Sequence, residues 1–512
     1  MNMLSRRGFL AASAAALGRS HMPRIALAQG VAPLSLAAAT RTLDIDGRAA
    51  KVFGLAGPGG QGLILDPGQR FRVELTNDLD VGTIIHWHGQ IPPNAQDGVP
   101  DMPMPLLNPG ETRSYDFEAR PGTHWMHSHV PTQEMQLLAA PLIVRSQEDL
   151  TADRQEVVMF LHDFSFKAPE EVLAEISSGH GGGHGAGHGA GAKPGQGAPM
   201  GGMGAMQGMD HGAMGGMAMG NMPGMGGMMG MGGQMGGMAM DLNDYEWDAY
   251  LANDRTLSDP EVVQIERGGR IRLRVINAAA ATAFWIDTGG AAARLVAADG
   301  HAVQPLAGNR FGLAMGQRLD IEIDLPNEDG AWPILALREG ARERTGLVLA
   351  TRGAEVRRLD AMAESEAPAF DTDLAQEASL IALEALRDRP VDRSHMLMLG
   401  GSMQSYFWTI NGAVWGQHQP ITARSGERVV LSFHNMSMMA HPMHLHGHVF
   451  QVVGLNGQRV AGAVRDTVHV PPMSMVDVAL DAGEVARWML HCHHMPHLAS
   501  GMMTEFAVTA SV

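Results

Sequence analysis

His491-Cys492-His493-His494-Met495-Pro496-His497-Leu498-Ala499-Ser500-Gly501-Met502 is the stretch on which the reading of this chain turns. Cys492 is the only cysteine, so it has no internal disulfide partner. Taken alone it would read as a small buried hydrophobe. Its neighbours change that reading. A thiolate with a histidine five residues on and a methionine five further supplies three ligands of a type 1 (blue) copper site, which needs two His, one Cys and a weak axial Met. The other His has to come from elsewhere, and His441-Pro442-Met443-His444-Leu445-His446-Gly447 offers one. If residues 490–494 form a strand, Cys492 points to one face and His491 and His493 to the other. A metal on Cys492 is then joined, through adjacent residues, to whatever those histidines bind. That layout suits electron transfer between two metal sites.

The chain has 512 residues, a length that predicts about three domains. A formal net charge of −17 argues against nucleic acid as a partner. The N-terminus reads as an address. Ser5-Arg6-Arg7-Gly8-Phe9-Leu10 is a twin-arginine pattern, Ala11 to Leu17 a short apolar run, and Ala26-Leu27-Ala28 a small-residue cleavage site, so residues 1–28 are predicted to be an export signal. The run is too short to span a bilayer, and no other stretch is long and apolar enough. A periplasmic protein exported by the twin-arginine route, with no membrane span, is expected. One cysteine in an oxidising compartment fits a metal ligand better than a disulfide framework.

Three segments echo one another: Gly68-Gln69-Arg70 to Asn77, Gly268-Gly269-Arg270 to Asn277, and Gly426-Glu427-Arg428 to Asn435. Each is Gly-x-Arg, then alternating apolar residues, then Asn seven positions after the Arg. That pattern predicts a strand bounded by turns, repeated in three domains. The repeat aligns the histidines. His86 and His88 lie nine and eleven residues after Asn77, and His444 and His446 lie nine and eleven after Asn435. The same offsets from Asn277 reach Ile286 and Thr288, which are not ligands here. Each outer domain carries a second pair, His127-Ser128-His129 and His491-Cys492-His493, both following a Trp-Met, Trp125-Met126 and Trp488-Met489. One His-x-His is weak evidence. Four in symmetric positions predict several metals held between the first and last domains.

The predicted domains span 38–148, 154–355 and 385–512. The second carries an insertion, 178–240, rich in Gly, Met and His. It contains His180, His184, His188 and His211, and Met-x-x-Met runs such as Met200, Met203, Met206 and Met209. Glycine density precludes a packed core there, and thioether sulfur selects Cu(I), so the insertion is read as a disordered tract binding copper loosely at several sites. Elsewhere the segments are short, alternating and turn-rich, which predicts an all-β protein of packed sandwiches. Ala375 to Arg387 is predicted as a helix linking the second and third domains.

These motifs together resemble the four copper signatures of the three-domain multicopper oxidases: His86-Trp87-His88-Gly89, His127-Ser128-His129, the 441–447 stretch and the Cys492 stretch. The chain is most similar to bacterial CopA-type copper-resistance proteins and laccase-like cuprous oxidases. The resemblance covers nearly all of the chain after the signal, in family order. It implies three cupredoxin-like Greek-key β-sandwiches. By motif position it implies a type 1 copper on His441, Cys492 and His497 with Met502 axial. It implies a type 2 copper on His86 and His444, and a type 3 pair on His88, His127, His129, His446, His491 and His493. Asp97 matches an acidic position that the family uses for proton delivery, although an Asp before Gly98 is also an ordinary turn residue. Some cuprous oxidases carry a second acid just after the last type 1 His; here that residue is Leu498. Met436, Met438 and Met439 before His441 read as a Cu(I) docking site, with Ser437 near where relatives have Asp. His124, His162, His301, His395, His418, His434, His448, His469 and His494 are left unassigned.

The resemblance implies a monomeric enzyme that oxidises Cu(I) or phenolic reductants and reduces O2 to water, serving copper tolerance. The alternative is a copper-sequestering protein with minor turnover. A copper nitrite reductase fits less well, because such enzymes lack the paired type 3 histidines.

Overall fold

The computed structural model describes residues 32–178 and 242–511. The predicted export signal and nearly all of the 178–240 insertion lie outside the described residues. The architecture is all-β, in three pairs of sheets. Sheets of five and four strands draw on residues 34–144, sheets of six and five on 155–351, and sheets of seven and five on 393–509. The first strand, Leu34–Ile45, begins ahead of residue 38. Each pair closes over apolar side chains from alternate strand positions, as Phe71, Val73 and Leu75 do with Trp87 in the first. Each such side chain contributes roughly 1.5–3 kcal/mol by leaving water.

The threefold Gly-x-Arg…Asn repeat is one structural device used three times. Phe71–Asn77, Arg270–Asn277 and Arg428–Asn435 are strands in equivalent sheets, each ending on a buried Asn. Asn77 Nδ2 donates to the carbonyls of Val81 and Leu107, and its Oδ1 accepts from Leu79 N–H. Asn277 does the same to Thr282, Leu313 and Ala279. Asn435 does so to Met439, Val470 and Ser437. A buried loop must satisfy its backbone groups somewhere, and this side chain does so while steering the chain into the next strand. In the outer domains that strand bears His-x-His: Ile85–His88 and His441–Leu445. In the middle domain it is Phe284–Asp287, with Ile286 buried where a His would stand.

The predicted helix from Ala375 to Arg387 is shortened to Ala375–Ser379. Leu380 turns to extended backbone. The chain then pairs with the strand edge at Val303, where Gln304 N–H donates to Ile381 O and Leu383 N–H to Ala302 O. An open sheet edge outcompeted further helix, because it satisfied the same backbone groups while covering exposed strand. The Cys492 strand is also shorter than predicted. It runs Arg487–Cys492, and the chain turns at His494 into the helix Met495–Ala499. No described helix is long and apolar enough to cross a membrane.

Between the second and third domains lies a small void lined by Leu242, Glu339, Phe370, Met439, His469 and His494. Glu339 is buried and accepts one hydrogen bond, from Phe370 N–H. Burial pushes its carboxyl up to about 7, against the pull of that N–H. The folded value stands above the unfolded one. The stabilising proton is therefore fully in place below about 4.5 and is lost as pH rises through about 7. Glu339→Gln should remove this loss. The stability difference between variant and wild type should grow by up to about 3 kcal/mol from pH 4.5 to 8, measured as denaturation midpoints across that range.

Candidate metal centres

The ligand strands are neighbours in each outer domain. Ile85–His88 pairs antiparallel with Gly122–Ser128, placing His86 opposite His127. His441–Leu445 pairs with Arg487–Cys492, placing His444 opposite His491 and Met443 opposite Cys492. The glycines after each His-x-His have a physical reason. Gly89 and Gly447 adopt positive φ, and a Cβ would lie 2.3 Å from the His124 ring or 2.1 Å from Trp488. Only glycine lets the backbone turn this close.

The four His-x-His pairs meet face to face between the first and third domains. His86 Nε2 lies 3.3 Å from His444 Nε2, and His446 Nε2 lies 3.2 Å from His129 Nε2 and 3.1 Å from His491 Nε2. His88 Nδ1 lies 3.4 Å from His127 Nε2. The ring nitrogens gather into two groups of three, His88–His127–His493 and His129–His446–His491, beside the pair His86 and His444. The outer nitrogens are anchored. His86 Nδ1–H donates to Asp97 O at 2.8 Å, His444 to Asp466 O at 2.9 Å, and His491 to Cys492 O at 3.0 Å. That fixes the tautomer and turns Nε2, as an acceptor, inward. His88 is reversed: Nε2 faces Asp466 at 3.0 Å and Nδ1 faces inward. Burial holds His88, His127, His129, His446, His491 and His493 well below the ordinary imidazole value. The rings are therefore neutral, and acceptor nitrogens face one another. Both nitrogens of His493 have no hydrogen-bond partner. Desolvated acceptors so arranged would be costly. A shared cation removes that cost, and the imidazole donor set suits copper.

The Cys492 cluster has the opposite ring orientation. His441 Nδ1 and His497 Nδ1 are 3.1 Å apart, and Cys492 Sγ is 3.8 Å and 3.6 Å from them. The two Nε2 atoms point away, His441 to Ser437 Oγ at 2.8 Å and His497 to Asp244 Oδ2 at 3.5 Å. Met502 is buried in the same core, and its carbonyl accepts from Cys492 N–H at 3.1 Å. Two imidazole nitrogens and a sulfur converging in a buried pocket form the donor set of a blue-copper site. His491 and His493, one residue either side of Cys492, belong to the two three-histidine groups.

Asp97 is both a turn residue and a contact to the cluster. It caps the short 3-10 turn Asn94–Gln96, and its Oδ2 lies 2.8 Å from His446 Nδ1. Leu498 is buried and apolar. Met439 is buried, while Met436 and Met438 are exposed.

Three carboxylates at these clusters escaped the sequence reading. Glu134 Oε2 lies 2.7 Å from His127 Nδ1, and Oε1 lies 3.9 Å from His493 Nδ1. Glu134 ends the one-turn helix Pro131–Glu134, which packs against the helix bearing Leu498. Burial pushes its carboxyl well above the usual range. Asp466 faces His88 and is clamped by Arg318, Nη1 to Oδ1 at 2.7 Å. Burial raises its carboxyl, but the guanidinium outweighs that and holds it well below the usual range. Asp244, just past the insertion, accepts from the Tyr406 hydroxyl and faces His494 and His497. Each is distant in sequence from the rings it touches, except Glu134, five residues past His129, where no motif marks it.

Family models described as multicopper oxidase match residues 41–149, 213–353 and 388–512. Multicopper oxidase MmcO of Mycobacterium tuberculosis is 29% identical over 86% of this chain and 79% of its own length. Copper resistance protein A of Escherichia coli is 24% identical over 86% of each. A multi-copper oxidase from Pseudomonas Thermotolerans superposes with a TM-score of 0.64 at 22% identity, over 93% of this chain and 98% of that one. Fet3p, described as a multicopper oxidase that functions in iron import, gives 0.70 at 15%, over 93% and 90%. The fold and the histidine seam define a copper-binding oxidoreductase built from cupredoxin-like domains. The chain belongs to the multicopper oxidases.

Because Glu134 holds the outer nitrogen of His127, Glu134→Ala should weaken copper binding at that group by roughly 10- to 100-fold. Glu134→Gln, which still offers an acceptor oxygen, should retain most of the affinity. Equilibrium dialysis with metal quantitation distinguishes the two.

Proposed function

We propose that the protein is a periplasmic copper-tolerance oxidase. It would oxidise Cu(I), with phenols as secondary donors, at a type 1 site and reduce O2 to water at a trinuclear cluster. His441, Cys492, His497 and Met502 would hold the type 1 copper. His86 and His444 would hold type 2. His88, His127, His129, His446, His491 and His493 would hold the type 3 pair. Copper, when bound, supplies the one-electron redox chemistry and the O2 reduction. The chain supplies spacing, orientation and protons. The observation that carries the reading is covalent: Cys492 stands between His491 and His493, so the thiolate cluster is bonded directly to both three-histidine groups.

O2 reduction consumes protons, and Asp97 at His446 is positioned to relay them. Glu134 supplies a buried acid near the region where Leu498 leaves none. Cu(I) is favoured as donor by the thioethers Met436, Met438 and Met439 before His441, and by relatives described as copper resistance proteins. A monomer completes the reading. A second reading, copper sequestration with slow turnover, draws on the methionine-rich insertion.

Oxygen uptake by copper-loaded protein, with Cu(I) and a bulky phenol at matched concentrations, separates the two. Preference for Cu(I), lost on deleting residues 178–240, supports the oxidase with the insertion as its feed. Sequestration predicts collapse of copper storage on deletion while phenol turnover persists or rises. Cys492→Ser should abolish the blue absorption and turnover while circular dichroism stays that of the wild type. Retained turnover would refute the electron route.

A further inference from the structure

The outer face of the seven-stranded sheet in the third domain carries a row of soft ligands that no part of the fold explains. Arg393–Ser402 alternates strictly: Leu397 and Leu399 are fully buried, whereas Met396 and Met398 are 60% and 37% exposed. Its parallel neighbour, Arg428–Asn435, buries Leu431 and Phe433 and turns His434 outward. The next strand, Met475–Asp481, buries Val476 and turns Met475 outward. Register places Met398 beside His434, and His434 beside Met475. The three side chains therefore stand in one line across three strands, thioether–imidazole–thioether. Adjacent strand positions of this kind bring Cβ atoms to about 4.5–5.5 Å. The unbranched Met side chain, with three rotatable bonds, can swing its sulfur over the central ring.

The row does not stand alone. Asn435 N–H donates to Ser474 O at the end of this ladder, and Met436 and Met473 are the sequence neighbours of those two residues. These two methionines are 58% and 64% exposed. An outward sheet face usually carries polar or β-branched residues. Here it exposes large flexible apolar ones, which otherwise gain nothing from exposure. The row is flanked at its two ends by Asn411 and Asn456, and Asp477 stands on the same face two residues from Met475.

We infer that Met398, His434 and Met475 form a surface Cu(I) acquisition site that hands metal to the type 1 region; this rests on the reading of Cu(I) as the electron donor. Soft thioethers with one imidazole nitrogen select Cu(I) over harder cations. The site adjoins its destination. The residue after His434 is Asn435, whose Oδ1 accepts from Ser437 Oγ at 2.8 Å, and Ser437 Oγ lies 2.8 Å from Nε2 of His441. Met436 and Met438 are exposed between the row and that point.

The test is Met398→Leu/Met475→Leu in the full-length holoenzyme. Leucine keeps the apolar surface and removes only the sulfurs. Crystals of wild type soaked anaerobically with Ag(I), which shares the thioether preference of Cu(I), should show an anomalous peak among Met398, His434 and Met475, and the double variant should lack it. The KM for Cu(I) in oxygen uptake should rise about tenfold at least, with kcat and all phenol kinetics unchanged and the blue absorption intact. No peak at the row, or an unchanged KM for Cu(I), would overturn the site. If wild type consumes no oxygen with Cu(I), the donor reading fails instead, and the anomalous peak still decides whether the row binds the metal.

Discussion

Everything in this protein depends on a buried seam in which imidazoles from two domains point acceptor nitrogens at one another. His86 and His129 come from the first domain, His444 and His446 from the third, and their Nε2 atoms approach within 3.2–3.3 Å. Neutral, desolvated acceptors do not attract. The arrangement persists because most of the rings are held from behind: His86, His444 and His491 by a carbonyl, His446 by Asp97, His127 by Glu134 and His88 by Asp466. Preorganisation of this kind assigns the work of ligand placement to folding rather than to metal binding.

Holding rings from behind requires that the domains themselves do not slide. A buried chain of charges joins them. Glu377 pairs with Arg465, Arg465 with Asp299, Asp299 with Arg318, and Arg318 with Asp466, which faces His88. The chain runs from the interdomain linker through the second and third domains to a first-domain ligand. Buried pairs add little net stability over apolar packing, but breaking one leaves an uncompensated charge. Their contribution here is to register: the middle domain, which has no His-x-His pair among the described residues, locks the two that do.

The two clusters use imidazole in opposite senses. In the seam, most rings are anchored through Nδ1 and offer Nε2. Around Cys492, His441 and His497 offer Nδ1, while His441 Nε2 is held by Ser437 and His497 Nε2 faces Asp244. The inward nitrogen follows from which side the backing group stands on, so the ligand set is inseparable from Ser437, Asp244 and the carbonyls behind the rings.

The sequence by itself determined what is local or periodic. Alternation gave the strands, the Gly-x-Arg…Asn repeat gave three similar units, and the spacing around Cys492 marked a set of candidate donor side chains, because these are properties of consecutive residues. It overran where a competing partner lay elsewhere. The helix from Ala375 stops when the chain reaches the open edge at Val303, and the Cys492 strand stops as the chain enters the helix Met495–Ala499. The tertiary structure alone decided which imidazoles face which, that Glu134, Asp466 and Asp244 stand behind or beside them, and that Met398, His434 and Met475 share a line. Apart from Glu134, which is near His127 in sequence but marked by no motif, those residues are brought together by sheet order and domain packing across tens to hundreds of positions, and no local pattern encodes a contact between side chains so far apart in the chain.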